Sequence, residues 1–242
     1  MDVRGQENDS SSQRDNSSNY CSINLKMKLS IENIIILKND LSAELLNYYS
    51  SSQFLAIDCE MMGLNPVRDR LCLIQMCDQK EKVTLVKLES DILSKEVNQR
   101  SPNLKKLLED PAIKKIFHFG RTDMAFLYWW LGIEIKNVFC TKSASKLTRT
   151  YTDKHSLKDL LKDALSVDMD KTSQLTDWGA PELSKDQIKY AANDVLHLIP
   201  LHFRLIDFLK REKRLEIAEE ANKFLPTLAK LDLLGYIDFF AH

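Results

Sequence analysis

Phe54-Leu-Ala-Ile-Asp58-Cys-Glu60 ends an apolar run on two acids separated by one residue. In a β-strand, residues i and i+2 point to the same face, so a strand over 54–58 sends both carboxylates off one side of a sheet. Acids paired in this way repel each other unless a cation lies between them. A divalent metal is the natural occupant, because hard cations take oxygen ligands. Working outward, the runs 34–37, 71–77 and 83–88 have strand character, and the last two follow 54–58 across turn-like segments such as Gly63-Leu-Asn-Pro66. Short connections of that kind predict antiparallel neighbours. Helical spacing over 40–49 follows Asn39, a candidate N-cap.

Beyond Pro102 the pattern changes to alternation: a helix over 103–109, a strand over 115–119, a helix over 122–131, a short strand over 137–139, then further helices. Strands alternating with helices predict parallel pairing. Three antiparallel strands followed by parallel additions make an α/β fold, the mixed sheet flanked by helices of the ribonuclease H-like architecture.

The 242 residues suit one substantial domain with extensions, and 44% hydrophobic with 29% charged residues is ordinary for a globular protein. A net charge of −1 does not advertise a nucleic-acid binder, yet an acidic metal site can offset a basic rim. The apolar stretch 124–133 is shorter than the roughly 18–20 residues of a membrane span and reads as a buried helix. Cys21, Cys59, Cys72, Cys77 and Cys140 lack metal-ligand spacing, so buried thiols in a reducing cytoplasm are expected. The Ser/Asn/Asp-rich segment 1–26 has almost nothing to bury and reads as disordered, with Met27 an alternative start.

Two further acids belong to the constellation. Asp123, in His118-Phe-Gly-Arg-Thr-Asp123, falls where a strand passes into a helix, at the sheet edge that ligand sites favour. Asp194, in Tyr190-Ala-Ala-Asn-Asp194, lies inside a helix read as 184–210. The i, i+4 spacing puts the Tyr190 hydroxyl and the Asp194 carboxylate on one face. Ala191 and Ala192 would let that helix press close to the sheet.

The order Asp-x-Glu, a later Asp after His118, and Tyr-x-x-x-Asp is the pattern of the DEDD exonucleases, in the subclass with tyrosine in its last motif. Asp58-Cys-Glu60-Met-Met-Gly-Leu-Asn-Pro-Val-Arg-Asp-Arg-Leu-Cys-Leu-Ile-Gln75 resembles the first exonuclease motif of ribonuclease D, and Thr176-Asp177-Trp178 resembles the segment before that family's third motif. The resemblance covers residues 34–211 and implies an exonuclease domain over 27–211 with a short C-terminal helical extension over 212–242, similar to the compact bacterial form without HRDC domains. It implies a 3′→5′ exoribonuclease that uses two divalent ions, Mg²⁺ or Mn²⁺, and releases nucleoside 5′-monophosphates from single-stranded RNA or RNA 3′ ends, tRNA precursors among them. By the same resemblance Asp58 bridges the ions, Glu60 and Asp194 hold the one carrying the attacking water, and Asp123 contacts the other. Tyr190, with an ordinary pKa of about 10, positions that water instead of deprotonating it.

Substrate contacts are drawn from several places. Between residues 142 and 158, Lys142, Lys146, Arg149, Lys154 and Lys158 stand against Asp153 alone, an excess that suits a nucleic-acid backbone or merely a solvated helix face. Met61 and Met62 are candidates to wedge against terminal bases, and His118 to touch substrate. Trp129 and Trp130 are expected in the core, and Gln75 as a structural hydrogen-bonder. A DNA-directed exonuclease uses the same acids, so DNA stays open as substrate. A scaffold without catalysis would be expected to lack at least one of the acids, and all four are present.

Overall fold

A computed structural model of the chain describes residues 31–169 and 176–240. The segment read as disordered, 1–26, lies outside the described residues. The sheet has six strands: β1 (Ile35–Lys38), β2 (Phe54–Met61), β3 (Leu71–Asp78), β4 (Val83–Lys87), β5 (Lys114–Phe117) and β6 (Val138–Cys140). Their order is β1-β4-β3-β2-β5-β6. β2, β3 and β4 pair antiparallel, while β5 and β6 add parallel to β2. β1 closes the other edge parallel to β4. The mixed α/β sheet expected from the sequence is present.

Eight α-helices are described: α1 (Ala43–Ser50), α2 (Pro102–Leu108), α3 (Arg121–Leu131), α4 (Thr141–Thr148), α5 (Leu157–Leu165), α6 (Lys185–Leu196), α7 (Leu198–Arg211) and α8 (Leu215–Leu233). Two hydrophobic layers sandwich the sheet. One contains Leu55, Ile57 and Cys59 with side chains of α1, α2, α3 and α8. The other contains Ala56, Leu73 and Leu85 with side chains of α5, α6 and α7. Strand alternation thus puts Asp58 and Glu60 on the layer that carries α6.

Three boundaries differ from the sequence reading. The helix expected over 184–210 is two helices that meet at His197 (φ −100°, ψ −1°). Pro200 explains the break: its ring would clash with the carbonyl of Leu196 in a continuous helix, whereas it is tolerated in the first turn of α7. The N-cap of α1 is Ser42, whose Oγ accepts from the Leu45 N–H at 3.2 Å. Asn39 is left-handed at φ 65°, and its Oδ1 accepts from the Glu89 N–H at 2.7 Å, joining β1 to the loop after β4. The strand expected over 115–119 stops at Phe117 because Phe119 turns the chain with φ 64°.

Trp130 is half-buried, and its indole Nε1 donates to the carbonyls of Pro66 and Asp69 at 3.0 and 3.1 Å, fastening the loop after β2 to α3. Trp129, also expected in the core, is 43% exposed on the outer face of α3. Among the described residues, no helix is long and apolar enough to cross a membrane, and Cys59, Cys72, Cys77 and Cys140 are free, buried thiols.

Candidate active site

The acids converge as the spacing demands. Ligand oxygens of Asp58, Glu60 and Asp194 all lie within 4.8 Å of one another. Asp58 and Glu60 come from the end of β2, where a bulge between Glu60 and Met61 breaks the β3 register. Such bulges re-aim side chains at strand ends. Beyond it, Gly63 leaves room for the Asp69 carboxylate, which would lie 2.2 Å from a Cβ there and folds back to accept from the Asn65 N–H.

Asp194 arrives on α6, which is held against the sheet by fully buried Ala191 and Ala192. A capping box starts that helix. Ser184 Oγ accepts from the Gln187 N–H, and Gln187 Oε1 accepts from the Ser184 N–H. Gln187 Nε2 then donates to Thr176 Oγ1 and the Asp177 carbonyl, so the Thr176-Asp177-Trp178 segment is tied to the same cap. Trp178 is 2% exposed and packs with its ring centroid 6.0 Å from that of Tyr190. The tyrosine is thereby fixed one helical turn from Asp194, on the same face of α6.

Asp123 stands in the first turn of α3, outside the group of three. Cys59, between Asp58 and Glu60 on β2, adjoins Asp123, and its backbone and thiol both favour the Asp123 carboxylate form. The strand residue between Asp58 and Glu60 therefore also sits between Asp123 and Asp58. Gly120 permits this entry into α3, since a Cβ there would meet Phe117 Cβ at 2.5 Å.

Electrostatically the cluster is unsatisfied. Burial, then repulsion from Asp58, Asp194 and Asp123, raises the Glu60 pKa far above the carboxylate range. Burial raises Asp58, and burial with repulsion from Asp58 raises Asp123. Burial, reinforced by Asp194 and Glu60, pushes the Tyr190 phenol well above its ordinary value. A cation among these oxygens would offset the repulsion. All the donors are carboxylate oxygens, the set that suits Mg²⁺ or Mn²⁺ over softer ions.

The expected substrate contacts divide. His118 is half-buried at the end of β5, with Nδ1 2.9 Å from Thr141 Oγ1. The Thr141 hydroxyl proton goes to the Phe117 carbonyl, so the His118 Nδ1–H is the donor of this pair. Met61 packs partly into the core, whereas Met62 is 53% exposed. Met62 also covers Gly179, where a Cβ would meet its sulfur at 2.9 Å. Lys146, Lys154 and Lys158 are exposed and Lys142 half-exposed. Arg149 departs from the expectation: it is 4% exposed, its guanidinium pairs with Asp163 and donates to the Lys154 carbonyl, and it fastens α4 to α5 instead of facing solvent. Charge counting along the sequence could not distinguish it from its exposed neighbours.

A family model described as 3′–5′ exonuclease matches residues 33–210. The chain belongs to this exonuclease family. Ribonuclease D of Gluconacetobacter diazotrophicus is 32% identical over 163 residues, which are 67% of this chain and 39% of that protein. Human exosome complex component 10 is 30% identical over 185 residues, 76% of this chain and 18% of that protein. The chain thus spans about two fifths, or less, of these curated relatives. NrnC of Brucella melitensis is similar over nearly its whole length: 45% identical, covering 87% of this chain and 99% of that one, with a TM-score of 0.80. Structures of that NrnC include one with bound Mg²⁺ and one bound to pGG. The exonuclease match ends within α7, so α8 lies beyond it.

Proposed function

We propose that this protein is a metal-dependent 3′→5′ exoribonuclease that trims the 3′ ends of single-stranded RNA and releases nucleoside 5′-monophosphates. The observation that carries the reading is the convergence of Asp58, Glu60 and Asp194 within 4.8 Å beside Tyr190 and Asp123. Asp58, Glu60, Asp123 and Asp194 would hold two ions, Mg²⁺ or Mn²⁺, which would supply an acidified water and stabilise charge on the phosphoryl oxygens. A donor set of desolvated carboxylates with raised pKa values supports that occupancy, because ionising all of them without a cation is unfavourable.

The protein's own groups then act as follows. Tyr190 has its pKa raised, so it does not serve as a base near neutral pH; its hydroxyl orients the attacking water by hydrogen bonding. Trp178 keeps the tyrosine in place. Lys142 and Lys146 meet the phosphate backbone, Met61 and Met62 flank the terminal bases, and His118 contacts the substrate near Asp123. The exonuclease unit is taken as 27–211, and the extension 212–242 braces it through α8. A cytoplasmic setting is supported by the four free, buried thiols.

Ribonuclease D relatives support RNA ends such as tRNA precursors as substrates, and pGG bound to NrnC supports very short oligonucleotides. A DNA-directed reading is favoured by one observation, 34% identity over 159 residues to DNA polymerase I of Aquifex aeolicus. Matched 5′-labelled RNA and DNA strands, a tRNA precursor and pGG, each incubated with Mg²⁺ or Mn²⁺, separate these readings. A ladder shortening from the RNA 3′ end with 5′-monophosphate products is expected. Equal or faster trimming of DNA would replace the ribonuclease reading.

A further inference from the structure

Phe119 is the only apolar side chain among the described non-glycine residues with positive φ. A bulky residue in the left-handed region is a backbone outlier, and such strain persists where the surroundings impose it. The surroundings here are plain. Phe117 is fully buried, His118 is bonded to Thr141, and Gly120 has no room for a Cβ. The reversal from β5 into α3 therefore falls on residue 119. Its side chain is turned outward, four residues before Asp123 in the chain, and remains 48% exposed.

Local backbone demands alone would favour Gly or Asn at this position. An aromatic ring is there instead, and it is not bare. Lys142 Nζ, from the first turn of α4, lies 3.7 Å from the ring centroid. A π-face and an ammonium group are thus held together at the turn from β5 into α3 that leads to Asp123. That pairing matches an oligonucleotide, whose bases offer flat π-faces and whose phosphodiesters offer negative charge at alternate positions.

We infer that Phe119 and Lys142 form a clamp for the substrate end, with Phe119 stacking on a nucleobase next to the scissile phosphate and Lys142 meeting a neighbouring phosphodiester. This rests on the exonuclease reading above and adds the recognition element to the same site. Stacking is indifferent to base identity, so the clamp reads the presence of a base and not its sequence. It also assigns a purpose to the strain: the backbone outlier aims the ring at the substrate.

The test uses the full-length chain and short RNA carrying 2-aminopurine at its 3′ end. Phe119→Asn suits the left-handed backbone and removes the ring, Phe119→Trp keeps a π-face, and Lys142→Ala removes the ammonium. The clamp predicts that Phe119→Asn raises KM about tenfold while kcat stays within about threefold. Phe119→Asn should melt at or above the wild-type temperature, because strain is relieved. Phe119→Trp should keep the wild-type KM, and Lys142→Ala should raise KM and flatten its salt dependence. In EDTA, 2-aminopurine fluorescence should be quenched on binding wild type and Phe119→Trp but not Phe119→Asn. Unchanged KM and quenching in Phe119→Asn would overturn the clamp, and so would a parallel fall in kcat and melting temperature. A wild-type protein that trims no oligonucleotide would instead defeat the exonuclease reading, while the fluorescence still reports whether Phe119 stacks.

Discussion

Gln75 lies directly opposite Asp58 across the antiparallel β2–β3 pair, and its Nε2 donates to Asp58 Oδ2 at 3.4 Å. Gln75 is fully buried and its Oε1 has no partner among the described residues, while the other half of the amide is aimed at a metal-ligand candidate. Gln75→Met keeps the volume and removes both effects. It is expected to lower kcat/KM about tenfold while leaving the melting temperature unchanged or slightly raised, since a buried orphan acceptor is removed. Steady-state kinetics and a thermal melt check this. Full activity with a large loss of stability would make Gln75 a packing residue only.

Metal and pH act on stability together. Burial and repulsion raise Asp58, Glu60 and Asp123, so the metal-free folded state retains protons that the unfolded chain releases near pH 4. Their contribution is full in acid and is lost as the pH rises through their raised folded-state values. His197 and His202, lowered by burial, act in the opposite sense, so the comparison is made against Glu60→Gln, in which they cancel. In EDTA the melting temperature of Glu60→Gln should exceed that of wild type by a margin that grows from pH 6 to pH 8.5. Saturating Mn²⁺ should raise wild type by about 5–10 °C, more at the higher pH. A margin independent of pH would contradict the electrostatic account.

Tyr190→Phe removes the hydroxyl and keeps the ring against Trp178. A positioning role predicts that kcat falls about 10- to 100-fold with KM nearly constant. Complete loss of turnover would indicate a more direct part in proton transfer, and no loss would remove Tyr190 from the reaction. Rapid-quench measurement of a single cleavage distinguishes these from slow product release.

Arg121 forms a bidentate pair with Asp232 and also donates to the Ile237 carbonyl at 2.7 Å, which locks α8 to the start of α3, two residues before Asp123. Asp232→Asn is expected to cost about 1 kcal/mol, or roughly 2–4 °C in melting temperature. Because the pair anchors the helix that carries Asp123, kcat should fall more than KM rises. Denaturant unfolding beside steady-state kinetics tests both halves.

The sheet was legible in the sequence because Phe54, Leu71 and Val83 each open a run of strand-forming residues between turn segments, and the acids because strand period and helix period are short-range rules. Ala191 and Ala192 announced a helix pressed to the sheet, and both are fully buried. What stayed hidden depends on contacts distant in sequence. Arg149 reads as one cation in a basic run, yet Asp163 draws it inside. Asn39 resembles an N-cap, but its amide serves the loop after β4. Trp129 and Trp130 share one apolar stretch, and only the three-dimensional placement of Pro66 and Asp69 decides which turns inward. Pro200 was a local signal for the break at His197. The outward turn of Phe119 was not, because nothing in the residue type predicts a left-handed backbone.

Exonuclease action through these carboxylates is tested by Mn²⁺- and Mg²⁺-dependent digestion of 5′-labelled RNA by wild type and Asp58→Asn, with an EDTA control. Metal-dependent catalysis at Asp58 predicts stepwise shortening from the 3′ end by wild type, none in EDTA, and at most a trace by a folded Asp58→Asn protein. Undiminished trimming by Asp58→Asn, or by wild type in EDTA, would contradict it.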